Sequence, residues 1–130
     1  MEKVYIVGVI NKDMTELNEL KEAAYVVRRK FESGKLEESR LAKLYDSYNP
    51  IPNTRLFVRS SVEMFPRLNC GLASLYLQDA LKIGEIVRGR YKGEKHTFLL
   101  IDGRIVVDIT ADQYGGPKVY VGPLKSPWER

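Results

Sequence analysis

Three side chains in this sequence are of the types that move acyl groups, and each sits in a distinctive stretch. Cys70 lies in "LNCGLASLYLQDAL", His96 opens "HTFLLI" and Asp108 interrupts "VVDIT". A thiol where a loop gives way to a helix meets unpaired backbone N–H groups and the positive end of the helix dipole. Both favour the thiolate. The same amides suit an oxyanion formed by attack on a carbonyl, and Gly71 leaves room for close approach. An imidazole nearby would take the thiol proton and return one to a leaving group. A carboxylate inside an apolar strand is costly unless paired. His96, Arg104 or a local amide are its candidate partners, or Asp108 caps the turn that follows. Each residue also has a plainer reading. A lone cysteine beside an apolar helix is commonly a small buried hydrophobe, and a lone histidine at a strand edge commonly has no role.

The hairpin "LLIDGRIVV" decides whether imidazole and carboxylate meet. A two-residue loop, Asp102-Gly103, pairs Ile101 with Arg104, opposes Asp108 to Thr97 and puts His96 on the other face. A three-residue loop, Ile101 to Gly103, pairs Leu100 with Arg104 and sets His96 directly across from Asp108. Both loops are common. The second is the expectation adopted, because it gives the carboxylate a partner.

The elements that must position these groups follow from periodicity. "VYIVGVI", Val4 to Ile10, reads as a buried strand and is too short to cross a bilayer. Asp13 or Thr15 could cap a helix whose Leu17, Leu20, Ala24, Val27 and Phe31 share one face. "RRK" at Arg28 to Lys30 reads as its solvated end. A second helix is expected from near Lys35, with Leu41, Leu44, Tyr45 and Tyr48 as its stripe. Residues 55–65 fit either a short strand or a helical turn. The segment from Cys70 to Ile83 is apolar nearly all round, as a buried helix is, and Gly84 stops it. "EIVRGRYKG", "KHTFLLI" and "RIVVDIT" then read as strands, with one more at Lys118 to Val121. Helices before strands predict an α+β fold: N-terminal helices and the Cys-bearing helix packed on an antiparallel sheet.

Composition narrows the possibilities. The chain has 130 residues, 44% of them hydrophobic and 29% charged, with a net charge of +4. These values suit one soluble domain spanning residues 1–130. One cysteine cannot form an internal disulfide, which fits a reducing, cytoplasmic setting. One histidine rules out a multi-His or Cys-His zinc cage, so neither metal nor cofactor is expected. Arg88, Arg90, Lys92 and Lys95 gather near Tyr91, a pattern that could contact phosphates and a base. Glu85 and Glu94 interrupt it, so nucleic acid is the weaker expectation. Trp128 in "SPWER" reads as a packing anchor for the tail.

The order Cys, His, Asp, with the cysteine heading an apolar helix and the others on adjacent strands, resembles the transglutaminase-like core of the papain-like cysteine peptidase superfamily. The likeness covers roughly residues 66–114. It implies a Cys70-His96-Asp108 triad acting on a peptide or protein substrate through a thioester: a cysteine peptidase, amidase, deamidase or transferase. Many transglutaminase-like members carry Trp after the cysteine, where this chain has Gly71. Papain-type members place a Gln upstream, and residues 62–69 contain none. The oxyanion would then need the Cys70 amide and a second donor, for which Asn69 and Gln113 are candidates. Asp112, Gln113 and Tyr114 in "TADQYGG" are candidates to line a substrate cleft, or they form a turn with a packed aromatic. The alternative to an enzyme is a non-catalytic module of the same fold, binding protein or nucleic acid through the basic hairpin.

Overall fold

The computed structural model describes residues 14–67 and 69–130. The expected strand at Val4 to Ile10 and the Asp13 cap lie outside them. Four helices come first: α1 (Met14–Ser33), α2 (Glu38–Tyr48), α3 (Thr54–Met64) and α4 (Cys70–Leu81). Thr15 lies within α1 instead of preceding it, and α2 begins three residues after Lys35. The ambiguous stretch at 55–65 is helical, and its inward face buries Val58 and Ser61. Helix α4 ends at Lys82, which takes the left-handed conformation (φ 59°) and donates its N–H to the Gln78 carbonyl. Gly84, expected to stop the helix, falls just beyond this cap.

Five strands follow: β1 (Glu85–Tyr91), β2 (Glu94–Ile101), β3 (Ile105–Asp108), β4 (Tyr120–Pro123) and β5 (Trp128–Glu129). They form one antiparallel sheet in the order β4-β3-β2-β1-β5. The expected α+β architecture, helices packed on an antiparallel sheet, is therefore present. The last strands differ in detail: β4 lies two residues later than expected, and the tail supplies β5. Gly89 permits that edge pairing, since a Cβ there would collide with the Glu129 carbonyl oxygen and press on the Phe98 ring.

Alternation sorts the sheet residues onto two faces. Leu99, Ile101, Val107 and Ile109 bury against Leu20, Ala24, Val27 and Phe31 of α1, Leu41 of α2, Val58 of α3, and Leu72, Leu77 and Leu81 of α4. The other face buries Val87, Phe98, Leu100 and Val106, and none of α1 to α4 packs on it. Its lid is the C-terminal segment, with Ala111, Trp128, Tyr114, Tyr120 and Leu124. The second face is the one that carries His96 and Asp108.

The β2–β3 turn corrects the expected register. Asp102 and Gly103 both have positive φ (56° and 69°), and the Arg104 N–H closes on the Ile101 carbonyl at 3.1 Å. The ladder nevertheless pairs Ile101 with Ile105 and Leu100 with Val106, leaving Arg104 as an extra residue. Neither expected loop occurs. The three-residue loop is Asp102 to Arg104, not Ile101 to Gly103. The extra residue keeps His96 and Asp108 on one face, as diagonal neighbours and not directly opposite.

Candidate active site

Asp108 is the anchor of the site. Its side chain is 1% exposed, so its charge has to be met by hydrogen bonds. Oδ1 accepts from the Thr110 backbone N–H at 2.8 Å and from the Thr110 hydroxyl at 3.3 Å. Oδ2 lies 2.7 Å from His96 Nε2 and accepts from Trp128 Nε1 at 2.8 Å. Both sequence readings of this carboxylate hold, one on each oxygen: Oδ1 caps the following turn and Oδ2 orients the imidazole. Arg104, the other candidate partner, instead lies near Asp102 at 3.7 Å.

His96 is buried, with Nε2 on Asp108 and Nδ1 without a hydrogen-bond partner among the described residues. Aromatic rings fix its plane. Tyr114 meets it edge-on at 5.6 Å between centroids and Tyr91 at 5.9 Å. Burial opposes charge on the ring, but the Asp108 carboxylate and the Cys70 sulfur outweigh it and raise His96 from 6.5 to about 9. Cys70 moves the other way. Burial pushes its thiol up, while His96 and the backbone N–H of Thr97 pull it further down, so the net shift is downward. Each group favours the charged form of the other, the condition for a thiolate–imidazolium pair. With Nε2 on Asp108, Nδ1 is the nitrogen left for the sulfur.

Helix α4 sets the thiol in place. Ser74, one turn on, donates to the Cys70 carbonyl at 2.6 Å and to the Thr97 carbonyl at 3.3 Å, tying the helix start to the strand that carries His96. Cys70 is half-buried and lines a cleft of about 420 Å³ together with His96 and Thr97. The space beside Gly71 is open, with no atom within 4 Å of where a Cβ would lie.

The other expected site residues fare differently. Asn69 is not a free oxyanion donor: it is fully buried, and its Nδ2 is engaged by the Ser61 carbonyl and, at 2.9 Å, by the Arg67 carbonyl. It does not cap α4 with its side chain either, which leaves the first-turn amides without that partner. Gln113 is half-buried, and its Nε2 has no hydrogen-bond partner among the described residues. Tyr114 stands beside the imidazole, but its hydroxyl already donates to the Lys95 carbonyl at 3.0 Å. Asp112 does not face a cleft as a free acid, because Arg28 holds both its oxygens at 2.8 Å.

Arg28 and Trp128 are the supports that sequence reasoning missed. Arg28 is not part of a solvated helix end: it is buried, and it also donates to the Ile109 carbonyl at 2.8 Å. It thereby ties α1 to the segment just past Asp108. A signal existed, since Arg28 is four residues from Ala24 and three from Phe31, on the apolar stripe. Trp128 packs as expected, stacked on Tyr120 at 3.8 Å. Its indole N–H on Asp108 had no local signal.

Among the described residues no group of three His, Cys, Asp or Glu side chains could hold a metal ion, and no helix is long and apolar enough to cross a membrane. No family model, curated protein or solved structure matches the chain.

Proposed function

We propose that this protein is a thiol-dependent acyl-transfer enzyme, a cysteine hydrolase or acyltransferase acting on an amide of a peptide or protein, and that its fold is a variant of the transglutaminase-like, papain-like core. One observation carries the reading. The sole imidazole is held by a buried, hydrogen-bonded carboxylate and lines the same cleft as the thiol, and the two groups shift their proton affinities in opposite directions.

The chemistry runs as follows. The Cys70 thiolate attacks the carbonyl carbon, and the C=O electron pair moves onto oxygen. Backbone N–H groups at the start of α4 are the donors for that oxyanion, with the Gln113 amide as a candidate second donor. As the tetrahedral species collapses, the C–N bond breaks and His96 Nδ1–H protonates the departing amine, leaving a thioester. Water or an acceptor amine then attacks the thioester while Nδ1 takes its proton, and the thiolate is released. Asp108 keeps Nε2 protonated and the ring oriented throughout. Hydrolysis, deamidation and transfer share these steps and differ in the amide and the acceptor. A free reduced thiol suits a cytoplasmic setting.

The test is labelling with a broad panel of peptidyl electrophiles, read at Cys70 by mass spectrometry, for wild type and His96→Ala. Wild type should label faster than a free peptide thiol near neutral pH, and His96→Ala should lose that excess. Labelling no faster than the free thiol would end the enzyme reading in favour of a binding module.

A further inference from the structure

The cleft that exposes the thiol is bordered by cations. Arg88, Arg90, Lys95 and Arg130 line it with Cys70 and His96, and among the described residues no Asp or Glu side chain does. The ladder explains the clustering. Arg88 and Arg90 alternate onto one face of β1, with Thr97 opposite Arg88 and Lys95 opposite Arg90. Two cations directly opposed across an antiparallel pair repel each other. Among the described residues, neither Arg90 nor Lys95 forms an ion pair with an acid. Glu129 flanks Arg90 on β5 but does not line the cleft. Arg88 is held in place by Tyr48, whose hydroxyl accepts from Nε at 2.9 Å and whose ring lies 5.0 Å from the guanidinium carbon. Only Arg130 is neutralised, by Glu85 at 3.1 Å, through a pair more than half exposed on both sides.

We propose that the group delivered to Cys70 carries a carboxylate close to the acyl carbon under attack, and that Arg90 and Lys95 receive it. This rests on the acyl-transfer reading above for the identity of the substrate, an acidic peptide. A peptide fits better than a nucleic acid, because the cations line the same cleft as the thiol, whose acyl chemistry takes a carbonyl substrate. The carboxylate can be an acidic side chain or a free C-terminus.

The experiment compares two alkylating agents of the same leaving group and similar size, iodoacetate and iodoacetamide, on the full chain. The readout is the ratio of their second-order rates at Cys70, in wild type and in Arg90→Gln/Lys95→Gln. Both positions are exposed, so the fold tolerates the change. The double substitution should lower the iodoacetate-to-iodoacetamide ratio about 3- to 10-fold at low salt, and added salt should lower the wild-type ratio towards that of the variant. An unchanged ratio overturns the proposal. Three matched peptidyl electrophiles then locate the charge: Glu beside the reactive carbon with an amidated end, Gln with a free carboxylate end, and Gln with an amidated end. Faster labelling by either charged probe, lost in the double variant, supports the proposal and names the source. Equal labelling by all three overturns it, as does protection of Cys70 by a single-stranded oligonucleotide without any carboxylate preference. A charge preference on a thiol no faster than a free peptide thiol would keep the anion cleft and remove the acyl-transfer reading.

Discussion

Trp128 and His96 donate to the same oxygen of Asp108, at 2.8 and 2.7 Å. The carboxylate is thus fixed from the strand that bears the imidazole and from an edge strand on the far side of β1. A carboxylate so held cannot rotate to release Nε2 without breaking a second charge-assisted bond.

Replacing Trp128 with Phe keeps an aromatic ring against Tyr120 and removes the indole donor. The expected loss is about 1.5–3 kcal/mol of stability, the size of one hydrogen bond to a charged group. Denaturant midpoints measure it. A variant as stable as wild type would show that the indole acts through stacking alone.

His96 is the only histidine, so its ring signals in a proton NMR titration need no assignment by mutation. They should titrate near pH 9, far above the ordinary 6.5. Asp108→Asn removes the charge that favours the imidazolium and should move the midpoint down, as should Cys70→Ala by removing the sulfur. A wild-type midpoint near 6.5 would contradict the pairing.

The pair also shapes stability against pH. A raised His96 contributes stability that is fully present below 6.5 and lost as pH rises towards about 9. A lowered Cys70 contributes stability present above the ordinary thiol value and lost as pH falls through its folded one. Where thiolate and imidazolium coexist, the two slopes oppose each other. Cys70→Ser removes one of them, so the urea midpoint of the variant should fall more steeply than that of wild type as pH rises above 6.5. Parallel slopes would mean that the thiol does not share the proton.

Arg28→Met keeps much of the apolar stem of Arg28 against Phe65, 4.6 Å from the guanidinium in wild type, and leaves Asp112 and the Ile109 carbonyl without their donor. Breaking such a buried pair costs about 3 kcal/mol. The segment after Asp108 should loosen with it, seen as faster amide exchange at Thr110 and Gln113. Unchanged exchange there would confine Arg28 to α1.

Much of this site is legible in the sequence because it depends on local pattern. The helix from Cys70 shows in its apolar run, and the β2–β3 hairpin in Asp102-Gly103 flanked by β-branched residues. The shared face of His96 and Asp108 is readable as one of two parities. The exact register is not, since Arg104 becomes an extra residue only once the turn and ladder form together. Arg28 is hidden among three consecutive basic residues, and only its helical phase distinguishes it from Arg29. Asn69 reads as an oxyanion donor, and its burial reverses that: its amide holds the Ser61 and Arg67 carbonyls. Trp128 reaches Asp108 from a two-residue edge strand too short to register as a pattern.

Because the indole that steadies the carboxylate comes from β5, the candidate site has a built-in order of assembly. A ribosome releases the sulfur long before it makes the imidazole's anchor or the tryptophan that locks it. Until that strand docks, the emerging polypeptide presents Asp108 without its indole partner.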